Sequence, residues 1–285
     1  MTEADSSAAP ATSAFRVVTG PPTRFPKPDL RGVWLYRDLF YFLVRRDVAI
    51  VYKQTALGFG WAVLRPVALA GVYTAIFGVV LDVPSEGVPF AAFVVSGLIL
   101  WLFFTQALTR SASSTVSAAG MISKVYFPRL TIPLAAAVPP LVDLAIGLVI
   151  VEAILLAYGI NPQIEMLAVP LVIIVLGTLA LGVGLILSAL AARFRDVEII
   201  LSFALQPLLF ASAVLYPVSL VPEEARALFS LNPLVGVMET FRAAMLPVDG
   251  LDLLQLVPSA LIAIVLVIGG PFYFARAEQT IADVI

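Results

Sequence analysis

Apolar positions along the chain gather into long runs separated by short polar segments. A helix that crosses a bilayer needs about 20 mostly apolar residues. Six stretches meet that requirement: 61–81, 87–109, 130–158, 166–192, 199–221 and 253–275. The first carries Arg65 near its start, the third carries Asp143 and Glu152, and the second and fourth carry no charge. The pattern predicts an all-α integral membrane protein with six transmembrane helices.

Four segments fit neither span nor plain loop. Residues 33–54, "VWLYRDLFYFLVRRDVAIVYKQ", place Leu35, Leu39, Phe42, Leu43 and Ile50 near helical spacing, with Arg37, Asp38, Arg45, Arg46 and Lys53 in other directions. With Trp34, Tyr36 and Tyr41, this reads as an amphipathic helix on an anionic membrane surface. In "TALGFGWAVLRP", 55–66, Gly58 and Gly60 permit a bent backbone before Trp61 and the first span. Arg65 at that boundary either snorkels to head groups or serves as an anion site for a lipid-linked substrate. The third segment is "MISKVYFPRLTIP", 121–133. A short helix over 117–129, stopping at or before Phe127 because of Pro128, would present Met121, Ile122, Val125 and Tyr126. Such a face calls for a partner groove or for a hairpin packed on its own bundle. The fourth, 216–250, reads as two short amphipathic helices at 225–231 and 234–246, lying at or dipping into the outer leaflet.

Composition strengthens the membrane reading: 61% of residues are hydrophobic, 13% are charged and the mean hydropathy is +1.02. A soluble domain carries about 25% charged residues. With the N-terminus inside, fifteen of the 17 Lys and Arg fall on the inner side, and only Arg226 and Arg242 fall outside. That bias predicts an N-in, C-in topology. Residues 1–30 are polar and Pro-rich without an apolar core, so they read as a disordered cytoplasmic tail and not as a signal peptide. Residues 31–285 form one membrane domain.

The chain has no Cys and no His, which removes thiol and imidazole chemistry and the zinc sites built on them. A P-loop needs Gly-Lys-Ser/Thr to hold phosphates. The lysines are Lys27, Lys53 and Lys124, and none follows a glycine, so any ATPase site belongs to another chain. Asp143 and Glu152 raise the alternative of a proton-coupled transporter. Nine residues apart on a helix, they lie on opposite faces, and Asp143 sits one turn after Pro139-Pro140, which also suits a structural role. Asp249 and Asp252 raise the alternative of a metal-dependent membrane enzyme, or a turn with solvated charges. On the second span, Phe90, Phe93, Trp101 and Phe104 fall within an arc of roughly 80°, with Gly97 in its middle and Phe103 off it. The stripe is either a packing face or an aromatic wall of a translocation path, with Tyr73 and Phe77 able to face it.

The order of these parts resembles the membrane subunit of an ABC type-2 exporter, in the branch that exports O-antigen, teichoic acid and galactan. "YKQTALGFGWAVLRP" resembles that branch's approach to the first span, "ISKVYFPRLTIPL" its coupling helix and "LNPLVGVMETFR" its outer re-entrant region; together the likeness covers about 33–275. The resemblance implies a channel of two such subunits in a bacterial inner membrane, driven by two cytoplasmic ATPase subunits that hold ATP and Mg, with a lipid-linked polysaccharide as cargo and no part for nucleic acid. It implies that Met121, Ile122, Lys124, Val125, Tyr126, Phe127 and Arg129 couple to the ATPase. It also implies that the helix 33–54, with Arg37, Arg45 and Arg46, is a gate helix. An exporter of drugs or small lipids would keep the same fold.

Overall fold

The computed structural model describes residues 27–53, 58, 60–122, 124–248 and 250–281. Residues 1–26 of the expected tail, most of 54–59, and Asp249 lie outside the described residues. Every regular element within them is helical. Helix α1 (Leu30–Leu35) opens where Asp29 accepts the Gly32 N–H at 2.7 Å, and α2 (Arg37–Lys53) follows it. Helix α3 (Gly60–Tyr73) runs on as a π-helical stretch, Thr74–Val80.

Helix α4 (Phe90–Ser117) is the centre of the bundle, flanked by α3 and by helices from later in the chain. It continues well past the end expected at 109, because the Ser- and Ala-rich stretch that follows holds no proline or glycine. At 28 residues it is about 42 Å long, against a hydrocarbon core of about 30 Å. Its last turns, from Arg110 onward, with Lys124 beyond, therefore reach past the apolar layer at what we call the basic end.

The expected third span is divided. Helix α6 (Thr131–Ala136) stops and α7 (Pro140–Ala157) restarts after Pro139. Neither Pro139 nor Pro140 can donate to a helical ladder. Helix α8 (Val169–Ala191) follows a short 3-10 turn, and α12 (Val257–Ile281) closes the fold beside it. These two approach closely: a Cβ on Gly182 would lie 2.6 Å from Leu266 Cβ, and one on Gly270 2.9 Å from the Gly182 carbonyl. Small residues at such a crossing let two backbones meet where water offers no hydrophobic drive. Helices α4 and α8 are also joined by a hydroxyl pair, Thr115 Oγ1 to Ser188 Oγ at 2.7 Å.

The largest departure from expectation is at 199–221. Helix α9 (Asp196–Ala211) has 16 residues, about 24 Å, and ends in a turn with Ala213 at φ +52°. The carbonyls of Ala213 and Val214 accept hydrogen bonds from Arg242 (2.8 and 2.6 Å) and do not extend the helix. Among the described residues, five helical stretches, not six, are long and apolar enough to cross a membrane. Beyond the turn come α10 (Glu223–Ser230) and α11 (Pro233–Met245), the latter capped by the Asn232 side chain accepting the Leu234 N–H. Helix α11 is buried against α4, α8 and α12 and does not rest on a surface.

Candidate functional site

Two cavities meet on the flank of α4. The larger, about 810 Å³, is a cleft between α3, α4 and α9. Helix α4 lines it at three- and four-residue spacing, through Leu98, Trp101, Leu102, Thr105, Gln106, Thr109, Arg110 and Ser113. Its chemistry changes along that helix. Trp101 and Tyr73 stand toward the start of α4, hydroxyls and the amides of Gln106 and Gln206 in the middle, and Arg65, Arg110 and Glu198 at the basic end. From Leu98 to Arg110 the wall extends about 18 Å.

The second cavity, about 270 Å³, lies between the end of α2, the start of α3, α4 and α7. It brings together Gly58, Trp61 and Arg65 of the predicted anion segment; Gly60 is exposed at the first turn of α3 and is not part of the lining. Gly58 takes φ +49°, a left-handed conformation that disfavours any residue with a Cβ, so the backbone bends where the two glycines predicted it. The Tyr52 hydroxyl donates to Asp143 Oδ1 across this cavity. Burial, then the hydrogen bond and charge of Asp143, push the Tyr52 phenol above its ordinary range. Asp143 thus ties the surface helix to α7. Glu152, on the far side of α7, is half-buried with Oε1 unbonded among the described residues. Asp252 accepts the Leu254 N–H at 2.9 Å and caps a 3-10 turn.

The basic segment differs from its expected shape. Only Ala119–Ile122 (α5) is helical; Lys124–Arg129 is a succession of turns, because Pro128 and the return into α6 leave too few residues for a second turn of helix. Val125 and Tyr126 are 58% and 73% exposed, while Phe127 points inward. A small cavity of about 230 Å³ is lined by Ile122, Lys124, Val125, Tyr126, Phe127 and Arg129; Met121 lines a separate pocket shared with α2 and α4. Arg129 is held to α12 by Glu278, at 3.8 Å to the carboxylate and 3.5 Å to the carbonyl. On α2, Leu43 is the buried anchor; Phe42 and Ile50 are exposed. Arg37 and Arg45 are exposed, and Arg46 pairs with Asp47 at 2.8 Å.

The aromatic stripe of α4 is not one surface. Trp101 reaches the cleft, with Tyr73 from α3. Phe93 is 0% exposed, with the Arg242 guanidinium 3.8 Å above its ring. Phe90 packs on Phe93 and Phe104 on Trp101, each pair 6.1 Å between centroids, and Phe104 is buried. Phe77 lies edge-on to Tyr73 at 6.2 Å and packs against the core. As placed here, the expected wall of Phe90, Phe93, Trp101 and Phe104 offers only Trp101 to the cleft. The helical wheel assigned a direction, but α11 and the Ala213–Val214 turn cover that direction over its first half.

Two residues of consequence escaped the sequence reading. Arg242 was counted as an outer cation, yet it is 3% exposed and clamps two carbonyls, a ring and Glu239 (3.4 Å). Its signal was Gly97, where a Cβ would fall 2.7 Å from Arg242 Nη2. Arg110 was counted only toward topology; its signal was its position on α4, one turn after Gln106.

Residues 38–246 match the ABC-2 type transporter family. The chain is 31% identical over 256 residues to the O-antigen export system permease protein RfbA of Myxococcus xanthus, covering 89% of this chain and 98% of that one. It is 28% identical to the Klebsiella pneumoniae protein of the same name, over 72% of this chain and 79% of the relative. With the polysialic acid transport protein KpsM of Escherichia coli it shares 27% identity over 85% of this chain and 94% of the relative. With its bundle of long apolar helices and a family match spanning α2 to α11, the chain belongs to the ABC-2 type transporter family and is a multi-pass membrane protein.

Proposed function

We propose that this chain is the channel-forming membrane subunit of an ATP-driven exporter that moves a lipid-linked polysaccharide across a bacterial inner membrane. The cleft between α3, α4 and α9 is its share of the path. That cleft carries the reading. It is polar at the basic end and aromatic further along. It runs along a flank where Val67, Val72 and Ile76 on one side and Ile199, Ile200 and Phe203 on the other leave large apolar surface uncovered. A second copy laid on that flank covers those residues and closes two clefts into one conduit. Hydroxyls and amides along the wall exchange hydrogen bonds with sugar hydroxyls, and Trp101 and Tyr73 offer flat faces to sugar C–H groups. A moving polymer needs many weak contacts of this kind. The relatives named for O-antigen export and polysialic acid transport support a polysaccharide as cargo.

In this reading the basic end is cytoplasmic and both termini lie inside. Helix α9 and its turn make the sixth crossing, and α10 and α11 return from the outer side. Exposed Val125 and Tyr126 with Lys124 dock in a groove of an ATPase subunit, which holds ATP and Mg. Helix α2 gates the mouth beside Trp61, where Arg65 meets the phosphates of the carrier lipid.

The absence of native Cys allows a direct test with a water-soluble thiol reagent on the assembled complex. Trp101→Cys, Gln106→Cys and Gln206→Cys react while ATP is turned over, and Phe93→Cys does not. Labelling of Phe93→Cys ahead of the cleft positions, or of no cleft position, refutes the path.

A further inference from the structure

Three arginines among the described residues are partly or wholly covered by the fold: Arg110, Arg129 and Arg242. Arg129 has Glu278 at 3.8 Å, and Arg242 has Glu239 at 3.4 Å together with two carbonyls. The Arg110 side chain has neither an ion pair nor a bonded acceptor among the described residues. It stands where three cavities meet: the cleft, the cavity under Trp61, and a third of about 320 Å³ toward Met121. Arg65, likewise without a partner among the described residues, lines the first two beside it, as does Gln106.

Each of these cavities sets one carboxylate against two guanidiniums, and no ion pair to Arg65 or Arg110 forms among the described residues. Asp143 accepts the Tyr52 hydroxyl, and Asp47 holds Arg46 at 2.8 Å. Glu198 is exposed at the cleft rim and forms no ion pair among the described residues. A partly covered guanidinium without an ion pair is unfavourable, and a second cation on the same cavity adds repulsion. An anion between them relieves both. The guanidinium fork matches phosphate oxygens two at a time, and the Gln106 amide adds a donor.

We propose that Arg110 and Arg65 form a two-guanidinium site for the phosphate of a membrane lipid, at the junction between the cavity under Trp61 and the cleft, with Arg110 as its inner arm. The proposal rests on the reading of Arg65 as a phosphate contact and extends it to a second residue on another helix. The shared chemistry is a phosphate on an apolar tail. A polyprenyl diphosphate and a bulk anionic phospholipid both present it.

The test uses the full chain with its ATPase subunit in phosphatidylcholine nanodiscs, titrated with farnesyl diphosphate. Trp61 and Trp101 line the two cavities, so tryptophan fluorescence reports binding. The parent binds farnesyl diphosphate and not farnesol. Arg110→Gln weakens binding about tenfold or more, the loss expected for a charged hydrogen-bond pair, and Arg110→Lys falls between. Parent-like affinity in an Arg110→Gln complex with an unchanged unfolding midpoint overturns the proposal. Should that variant fail to assemble, Arg110→Lys decides, since lysine keeps the charge and lacks the fork; parent-like affinity there also overturns it. Loss in Arg65→Gln but not in Arg110→Gln leaves the single-arginine reading standing and removes this one. Parent-like binding in both variants removes both. Displacement of the ligand when phosphatidylglycerol replaces part of the phosphatidylcholine assigns the site to bulk lipid head groups; persistence assigns it to a diphosphate carrier.

Discussion

Gly97→Ala is expected to destabilise the bundle from its centre. The added Cβ lies 2.7 Å from Arg242 Nη2 and 2.8 Å from the Val214 carbonyl oxygen, where about 3.5 Å is comfortable. Either the guanidinium or the turn must retreat by several tenths of an ångström. Both movements lengthen the 2.6 Å bond from Arg242 Nη2 to Val214. A hydrogen bond to a charged group contributes roughly 1.5–3 kcal/mol, and overpacking a filled core costs roughly 1–3 kcal/mol. The substitution should therefore cost about 3 kcal/mol, although alanine is the better helix former at an unstrained position. Arg242→Met removes the clamp itself. It leaves two buried carbonyls and Glu239 without their donor, a loss of roughly 3–5 kcal/mol. Since both changes act on one clamp, they are not additive. In the Arg242→Met background Gly97→Ala should cost about 1–2 kcal/mol less than in the parent, the remainder reflecting the Val214 carbonyl. The assay is reversible unfolding of the four proteins in mixed micelles. A Gly97→Ala variant as stable as the parent, or strict additivity in the cycle, refutes the account of Arg242 as the clamp over span two.

Two further outcomes follow from the geometry. Val125→Asp, at an exposed position of the basic segment, should leave insertion and fold unchanged while uncoupling ATP turnover from export; measured export at the parental level by a normally inserted variant contradicts the docking role. Tyr52→Phe removes the hydrogen bond to Asp143 and should lower stability by about 1 kcal/mol. Because the Tyr52 phenol titrates above its ordinary range in the folded state, its contribution is fully present below the unfolded value near 10 and is lost as pH rises through the folded value. Spectrophotometric titration should accordingly show one late-ionising phenol fewer in Tyr52→Phe than in the parent, the half-buried Tyr216 phenol ionising late in both.

How much of this was legible beforehand varies by element. The five long helices rest on runs of about 20 or more apolar residues, a signal of length and composition that no packing partner has to supply. The bend at Gly58 was equally local, since that residue needs a left-handed φ; the break at Pro139-Pro140 had a local cause too, two residues without a donor, but 130–158 was read as one span. The segment 199–221 misled because it is mostly apolar and carries no charge. The turn that follows α9 is held by a side chain 28 to 29 residues later, which takes the carbonyls of Ala213 and Val214. The basic segment's exposed pair, Val125 and Tyr126, lay within the stretch singled out, but its helix is only the single turn Ala119–Ile122, because the return into α6 begins too soon.

For the candidate site, the sequence by itself determined which residues are chemically capable: Arg65 near an apolar boundary, an aromatic stripe on the second span, and no thiol, imidazole or P-loop. Periodicity also determined which of them share a helix face, because 3.6 residues per turn is a property of the backbone alone. Only the tertiary structure decided what lies against each face. It buried Phe93 beneath Arg242, left Trp101 open to the cleft, and joined Arg65 to Arg110 from separate helices. Those outcomes depend on contacts between segments far apart in the chain. Their energies belong to pairs of surfaces, and no run of neighbouring residues encodes which surface its own will meet.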